Sequence, residues 1–295
     1  MIDLSPLYIF GEVLFDHFPD GSRVLGGAPF NVAWHLQAFA AAPCFISRIG
    51  DDESGREITQ RMTEWGMTTA SVQLDAQRPT GRVQVTLADG EPHYEIVADS
   101  AYDFIDAQGM PVLAAPGILY HGSLALRNPH SSRALQTVKA RHHGKVFVDV
   151  NLRSPWWTLK TVQSLLQAAD WVKLNHEEFA ALWPAPTVLE TAMPDFVQAF
   201  ALDGLIVTCG EKGALACDRQ GQFVRVQPRQ AVEVVDTVGA GDAFAAVWML
   251  GLQRAWPMSL TLERAQAFAS ALVGRRGATV ADIGFYHAFI RQWSL

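Results

Sequence analysis

The chain has few cysteines and no long apolar segment. Its three cysteines, Cys44, Cys209 and Cys217, form no CxxC pair, so we expect buried free thiols in a reducing compartment. No apolar run reaches the roughly 20 residues that span a bilayer. The first residues carry acids but no basic region of the kind that opens a signal peptide. These absences predict a cytoplasmic protein with no membrane partner.

Positive charge is also scarce. The chain has 23 lysines and arginines against 30 aspartates and glutamates, which gives a net charge of −7. This balance argues against a general nucleic-acid or anionic-membrane surface, but it does not exclude a small anionic ligand. With 49% hydrophobic residues among 295, the chain has ample material for a buried core.

Short apolar runs alternate with longer helical patterns along most of the chain. The strand-like runs are LYIFGEV, CFISRIG, GILYHGS, KVFVDVN, DWVKLN and GLIVTCG. Helical patterns include NVAWHLQAFA, GREITQRMTEWG and SSRALQTVKARHHG. This alternation predicts an α/β fold with a largely parallel, helix-covered sheet. Ligands of such sheets usually bind outside the carboxyl ends of the strands.

Two segments have the alternating pattern of β-hairpins instead. EVLFDHFPDGSRVLGG (12–27) turns at Asp20-Gly21, and GRVQVTLADGEPHYEIVAD (81–99) turns at Asp89-Gly90. Together they predict a small half-exposed sheet beside the main domain, which would be a lid or a dimer surface. The alternative is an antiparallel extension at the edge of the main sheet.

The stretch DTVGAGD lies between a predicted strand, VEVV, and a strongly apolar predicted helix. Glycines allow a tight turn, and inward N–H groups at the positive end of a helix form an anion site. Asp242 in such a site is explained if it is a general base, with Gly239, Ala240 and Gly241 as the anion hole. The alternative is that Asp242 caps the helix, and local chemistry does not decide between the two. The chain has neither GxxxxGK[ST] nor GxGxxG, which weakens a dinucleotide-binding interpretation.

A second glycine motif is LGGAPFNVAWHL, residues 25–36. Gly26 and Gly27 allow close approach of the backbone to a ligand, and the Asn31 amide can both donate to and accept from a polyol. With Asp16 on the first hairpin, these residues could bind sugar hydroxyls. Taken alone, the motif is better explained as a helix start with a Gly-Pro turn.

Two further motifs follow predicted strands. Thr208, Gly210 and Gly213 in VTCGEKG could line the phosphates or ribose of a nucleotide, although a lone GxxG turn is a weak signal. Asn175 and Glu178 in KLNHEEF are three residues apart, so both would face one way on a helix. An amide and a carboxylate suit an outer-shell Mg²⁺ and phosphate site. A helix N-cap with its capping-box acid explains the same pair, and both roles can coexist.

Taken together, these segments resemble the ribokinase, or PfkB, family of sugar kinases along nearly the whole chain. GGAPFNVAWHLQAFAAAPCFISRIGDDESG is similar to the first family signature and DTVGAGDAFAAVW to the second. NHEE fits the family's NxxE pattern, and VTCGEKG fits its nucleotide loop. The greatest similarity is to fructokinases, through GEVLFDHFP, GGAPFNVAWHL, PTGRVQV, DVNLRSPWW and GRRGAT.

The resemblance implies a three-layer α/β/α ribokinase-like fold in a single domain, 1–295, with lid strands within 12–25 and 81–99. It implies transfer of the γ-phosphoryl group of ATP, with Mg²⁺, to a sugar hydroxyl, most simply that of fructose. The implied roles are a general base at Asp242, an anion hole at Gly239, Ala240 and Gly241, sugar contacts at Asp16, Gly26, Gly27, Asn31 and Asn151, nucleotide contacts at Asn175, Thr208, Gly210, Gly213 and Gly241, and water-mediated Mg²⁺ organisation at Glu178. Asp149 and Arg153 of DVNLR would lie near the reacting groups, with Arg153 on either phosphate or sugar.

Many members of the family also bind a monovalent cation, usually K⁺, beside the anion hole. The matching positions here are Asp236, the Val238 carbonyl and the loop around Gly277. Val238 replaces a threonine that is common in the family. A carbonyl contact would survive that change, whereas a hydroxyl contact would not.

Other substrates and one other class of function remain open. YHGSLALRN has no clear counterpart of the glutamate that contacts ribose in ribokinases, which favours a hexose. The same fold could phosphorylate a ketodeoxy sugar acid, a nucleoside or an aminoimidazole riboside, or it could belong to a non-catalytic sugar-binding regulatory protein. Half-exposed lid strands often pair with a partner's edge, so a homodimer through the lid is a further expectation.

Overall fold

The computed structural model describes residues 4–88, 91–110, 113, 115–184, 188–228 and 233–295. The chain divides into two compact units. The first unit contains residues 1–7, 115–124 and 143–278, and the second contains residues 8–114, 125–142 and 279–295. The prediction of a single domain stays a prediction. Within the described ranges, no helix has the length and apolar character needed to cross a membrane.

The strands and helices have the following bounds. The strands are β1 (Leu7–Phe10), β2 (Leu14–His17), β3 (Arg23–Gly26), β4 (Cys44–Gly50), β5 (Val72–Asp75), β6 (Gly81–Ala88), β7 (Glu91–Ile96), β8 (Ile118–His121), β9 (Lys145–Asp149), β10 (Trp171–Asn175), β11 (Gly204–Thr208), β12 (Ala214–Asp218) and β13 (Phe223–Val226). The α-helices are α1 (Ala28–Ala38), α2 (Glu53–Glu64), α3 (Pro129–Arg141), α4 (Leu159–Leu166), α5 (His176–Leu182), α6 (Leu189–Ala199), α7 (Ala240–Gln253), α8 (Met258–Val273) and α9 (Ile283–Trp293).

The sheet of the first unit has the strand order β13-β12-β11-β10-β9-β8. Strands β8 to β11 are parallel, as their apolar runs predict, and β12 and β13 continue antiparallel to β11. The register pairs Lys173 with Asp149 and Asn175 with Thr208. Because parallel strands end at the same edge of a sheet, polar residues of β9, β10 and β11 are neighbours there.

The core of the first unit forms where these strands meet their helices. Val148, Leu174 and Val207 from three adjacent strands are fully buried, and they belong to one cluster with Phe179 of α5 and Phe196 of α6. Each such side chain contributes about 1.5–3 kcal/mol through removal from water. This packing holds the carboxyl ends of the strands, and the polar residues on them, in fixed positions.

The second unit contains two sheets. Strands β1, β4 and β5 are parallel neighbours, whereas β3-β2-β6-β7 form a separate four-stranded sheet. The hairpin segments therefore form a sheet of their own and do not extend the parallel one. Gly21, at φ +82°, forms the predicted turn between β2 and β3. The other predicted turn, Asp89-Gly90, lies outside the described residues, although β6 and β7 pair antiparallel on either side of it.

The predicted strand VEVV is wrong for the residues that the structure describes. Residues 233–236 have no strand pairing. The N–H groups of Val235 and Asp236 both donate to the Val273 carbonyl at the end of α8, at 3.0 and 3.1 Å. Alternating β-branched residues suggest a strand, but no neighbouring strand edge is there to accept these N–H groups.

Candidate active site

The loop before α7 is held by the Asp236 carboxylate. Asp236 Oδ1 accepts the Val238 N–H at 3.0 Å, and Oδ2 accepts the Gly277 N–H at 2.9 Å. Asp236 therefore joins two segments that are 41 residues apart. Asp236 thus anchors the loop, and its carboxylate keeps further lone pairs that a cation could use.

Gly239 has a conformation and an environment that require glycine. Its φ is +78°, in the left-handed region, and an added Cβ would lie 2.5 Å from Ala278 Cα. The backbone of the loop thus passes directly over residue 278. A side chain at position 239 would displace the loop from the start of α7.

Asp242 lies in the first turn of α7, partly exposed, and Gly239 is the N-cap residue. Asp242 is therefore the third helical residue and not the N-cap residue itself. The Ala240 N–H bonds to the Thr237 carbonyl at 3.3 Å. The N–H groups that open a helix lack acceptors within it and carry partial positive charge. Asp242 thus lies at the positive end of an otherwise apolar helix.

A buried ion pair lies beside this helix start. Lys173 Nζ in β10 bonds to both oxygens of Asp149 at the end of β9, at 2.9 Å each. Tyr120 in β8 donates its hydroxyl to Asp149 Oδ2 at 3.4 Å. Lys173 is 5% exposed and Asp149 is 2% exposed. A Cβ added to Gly241 would lie 3.4 Å from Lys173 Nζ, so the ammonium group approaches the first turn of α7.

The charges in this region shift two pKa values. Burial alone would lower the pKa of Lys173, but the charge and hydrogen bonds of Asp149, with the charges of Glu178 and Asp242, raise it above its usual value. Burial raises the pKa of Glu178, although the hydrogen bond from the Asn175 N–H and the charge of Lys173 act to lower it. The carboxylates near Lys173, Asp149 above all, therefore favour its charged form.

Asn175 and Glu178 form the predicted capping box at the start of α5. Asn175 Oδ1 accepts the Glu178 N–H, and Glu178 Oε2 accepts the Asn175 N–H, both at 2.8 Å. Glu178 Oε1 also accepts the Leu152 N–H at 2.7 Å, which joins α5 to the segment after β9. The described residues contain no group of three or more His, Cys, Asp or Glu side chains that could hold a metal ion.

The predicted nucleotide loop follows β11. Thr208 ends the strand next to Asn175, and its hydroxyl donates to the Leu174 carbonyl at 3.4 Å. Gly210 and Gly213 have φ values of +56° and +89°, and a Cβ on Gly213 would overlap the Val226 carbonyl. The glycines thus allow a tight turn that returns the chain into β12, with the Cys209 N–H bonded to the Gly213 carbonyl at 2.7 Å.

The DVNLR segment leaves the end of β9 at an unusual residue. Asn151 has φ +44°, a left-handed conformation that Asn tolerates better than most residues. Ser123 Oγ donates to its carbonyl at 3.4 Å. Arg153 is exposed, and its Nη1 donates to the Leu152 carbonyl at 3.3 Å. Backbone strain of this kind is concentrated at functional sites.

The predicted sugar residues Asp16, Gly26, Gly27 and Asn31 all lie in the second unit. A Cβ on Gly26 would lie 3.8 Å from Asp16 Oδ2, and one on Gly27 would lie 2.7 Å from the Glu12 carbonyl. Gly27, at φ +108°, is the N-cap residue of α1, and the Asn31 N–H donates to its carbonyl at 2.9 Å. The structure thus places Asp16 beside Gly26, and Asn31 one helical turn after Gly27.

Sequence reasoning missed Lys173. The available signal was one charged residue within the apolar run DWVKLN, since a charged residue in a buried strand needs a partner. The register of β9 and β10 identifies that partner as Asp149, which only the fold can show.

Comparisons with known proteins agree on one family. The model of the pfkB family of carbohydrate kinases matches residues 1–283. The fructokinase of Klebsiella pneumoniae is 34% identical over 261 residues, covering 83% of this chain and 84% of that protein. These matches confirm the predicted resemblance and the predicted class of enzyme, a sugar kinase.

Solved structures confirm the predicted ribokinase-like α/β fold. The fructokinase of Vibrio cholerae O395, bound to fructose, ADP and calcium, has a TM-score of 0.82 at 25% identity, covering 96% of this chain and 98% of that one. A double mutant of it with fructose, ADP and potassium has a TM-score of 0.83 at 26% identity, covering 96% and 98%. The aminoimidazole riboside kinase of Salmonella enterica, with its riboside and an ATP analogue, has a TM-score of 0.82 at 25% identity, covering 94% and 96%. This chain belongs to the pfkB family of carbohydrate kinases.

Proposed function

We propose that the protein transfers the γ-phosphoryl group of ATP to a hydroxyl group of fructose. The observation that carries the proposal is Asp242 in the first turn of α7, directly after the Gly239 turn. A carboxylate in an anion site repels the anion, and a chemical task would explain its presence there. Proton removal from an attacking hydroxyl is such a task.

The proposed roles divide the loop between base and anion hole. Asp242 accepts the proton of the sugar hydroxyl while the hydroxyl oxygen forms a bond to the γ-phosphorus of ATP. The bond between that phosphorus and the bridging oxygen breaks, and ADP leaves with the electron pair. Gly239, Ala240 and Gly241 supply N–H groups to the charge on the transferred group.

The nucleotide and its metal belong to the ends of β10 and β11 in this proposal. Asn175, Thr208, Gly210, Gly213 and Gly241 contact ATP, and Glu178 orients Mg²⁺ through water. The metal neutralises charge between phosphate oxygens when bound. The adjacent positions of Asn175 and Thr208, and the buried Glu178 carboxylate, support this assignment.

A K⁺ site beside the loop is also part of the proposal. The oxygen donors are the Asp236 carboxylate, the Val238 carbonyl and the loop around Gly277. Support comes from the Asp236 bonds that hold residues 238 and 277 at one carboxylate. The potassium-bound fructokinase of similar fold is consistent with it.

The sugar is proposed to contact Asp16, Gly26, Gly27, Asn31 and Asn151, with Arg153 near the reacting groups. Strands β2, β3, β6 and β7 form the lid, which closes over the sugar and excludes water, so that ATP is not lost to hydrolysis. The same half-exposed sheet is proposed to pair two chains in a homodimer. A cytoplasmic location completes the proposal, since all three cysteines are free thiols.

Fructose is preferred over other acceptors because the Klebsiella pneumoniae relative, at 34% identity, is a fructokinase. Aminoimidazole riboside is the second candidate, since a kinase for it has a TM-score equal to that of the fructose-bound enzyme.

The test is ADP release from ATP with a panel of acceptors, run with and without K⁺. The panel contains fructose, glucose, ribose, a ketodeoxy sugar acid, a nucleoside and aminoimidazole riboside. We expect the highest kcat/KM with fructose. Higher kcat/KM with another acceptor would reassign the substrate, and no turnover with any of them would overturn the kinase proposal itself.

A further inference from the structure

Lys173 is a buried cation that no sequence motif explains. Its position in β10 would suit an apolar side chain like its neighbours Val172 and Leu174, which are fully buried. Burial of a lysine and an aspartate together costs desolvation energy that their attraction does not always recover, so such a pair is weak evidence for a purely stabilising role. The position of the ammonium group suggests another role.

The ammonium group lies between Asp149 and the start of α7. Lys173 Nζ is the one described atom within 4 Å of a Cβ built on Gly241, apart from that residue's own neighbours and helix backbone. Asp149, which bonds to the same nitrogen at 2.9 Å, is therefore further from the helix. The positive end of the pair faces the turn that carries Asp242.

Three carboxylates converge on this ammonium group. Asp149 from β9 bonds to it directly, while Glu178 from α5 and Asp242 from α7 are close enough to act on it by charge. Tyr120 from β8 reaches the group only through Asp149. If phosphate groups bind at this helix start, the Asp242 carboxylate repels them, and Lys173 reduces that repulsion.

We propose that Lys173 is a positioning residue of the phosphoryl-transfer site: its ammonium group, fixed by Asp149 beside the first turn of α7, offsets the repulsion between the Asp242 carboxylate and the phosphates. The inference rests on the proposed function, because it assigns Lys173 a task in that reaction. A cation beside bound phosphates lowers the cost of bringing them close to a carboxylate. Loss of Lys173 therefore weakens the binding of ATP and of the phosphoryl group during its transfer.

The test uses a double variant. Lys173→Met alone leaves Asp149 buried without its cation, which destabilises the fold. Asp149→Asn/Lys173→Gln replaces the pair by two neutral groups that can still hydrogen-bond, a change that buried pairs often tolerate. The matched control is Lys145→Gln/Asp170→Asn, which removes a more exposed Lys–Asp pair with a 3.1 Å contact in the same unit. Thermal melting confirms that each variant is folded.

The readout is the KM for ATP and kcat, measured separately at saturating fructose. For Asp149→Asn/Lys173→Gln we expect the KM for ATP to rise by about tenfold or more and kcat to fall by about 10- to 100-fold, because the phosphates lose a nearby cation. The control should keep both values of the unmodified protein. A folded double variant that keeps the KM for ATP of the unmodified protein overturns the inference, whatever its kcat, and leaves the proposed function standing. Absence of turnover in the unmodified protein would instead overturn both.

Discussion

At the scale of single residues, Gly239 and Gly221 share a backbone conformation but not an environment. Their φ values are +78° and +77°, both in the left-handed region. A Cβ on Gly221 would meet no atom within 4 Å, whereas one on Gly239 would lie 2.5 Å from Ala278 Cα. Comparing the two glycines therefore separates the strain of a left-handed residue from the effect of crowding in the loop before α7.

Gly221→Ala should lower the free energy of unfolding by about 1 kcal/mol through backbone strain alone, with unchanged kcat. Gly239→Ala adds the clash with residue 278, so we expect a loss of roughly 2 kcal/mol or more and a large fall in kcat. Urea unfolding and steady-state kinetics measure both quantities. Equal behaviour of the two variants would show that the contact with Ala278 does not shape the loop.

At the scale of elements, two helices of the first unit begin with the same kind of cap. Asn175 caps α5 through the Glu178 N–H at 2.8 Å, and Thr158 caps α4 through the Thr161 N–H at 3.2 Å. Only the cap of α5 lies at the strand ends assigned to the nucleotide. These two caps allow a structural role to be distinguished from a functional one.

Asn175→Ala and Thr158→Ala should each lower the free energy of unfolding by about 1 kcal/mol, because each leaves a helix N–H without its acceptor. Asn175→Ala should in addition raise the KM for ATP and the Mg²⁺ concentration that gives half-maximal velocity. Titrations of ATP and Mg²⁺ on both variants provide the measurement. If both variants lose stability and neither titration changes, Asn175 is a cap and nothing more.

Asp52 at the start of α2 makes the stability of the second unit depend on pH. Its carboxylate accepts bonds from the Gly55 N–H at 2.8 Å, the Thr80 N–H at 2.8 Å and the Thr80 hydroxyl at 2.7 Å. Burial alone would raise the pKa of Asp52, but these bonds and the charge of Arg56 lower it below the usual 3.8. Because the folded pKa lies below the unfolded one, this stabilisation is complete above the unfolded value and is lost as pH falls through the folded one.

We therefore expect the melting temperature to fall as pH drops below about 4. Asp52→Asn should melt lower at pH 7 and lose less on acidification, because an amide cannot accept all three bonds as a carboxylate does. Asp282→Asn, which changes the cap of α9 with its single bond to the Gly284 N–H, is the control. If the melting temperatures of Asp52→Asn and of the unmodified protein changed in parallel between pH 3 and 7, that result would contradict this account.

At the scale of the whole molecule, both units carry predicted site residues. The base, the anion hole and the nucleotide residues belong to the first unit, and Asp16, Gly26, Gly27 and Asn31 belong to the second. The sheet of β2, β3, β6 and β7 that would form the lid belongs to the second unit as well. The predicted site residues are therefore divided between the two units.

Local patterns predicted what depends on local chemistry. The runs KVFVDVN, DWVKLN and GLIVTCG form strands because their apolar residues are buried, and Asn175 with Glu178 forms a capping box through bonds within four residues. VEVV was wrong because strand formation depends on a neighbouring edge, and the N–H groups of Val235 and Asp236 meet the Val273 carbonyl instead. Lys173 was missed for the same reason, since its partner Asp149 is 24 residues away.

The central claim is that Asp242 is the base of an ATP-dependent sugar kinase. The most direct measurement is kcat of Asp242→Asn at saturating ATP and fructose, with dissociation constants for both ligands from the same preparation. Asn has nearly the same shape as Asp but cannot accept the proton, so we predict a fall in kcat of roughly 10²–10⁴ with both dissociation constants nearly unchanged. Turnover close to that of the unmodified protein would contradict the account.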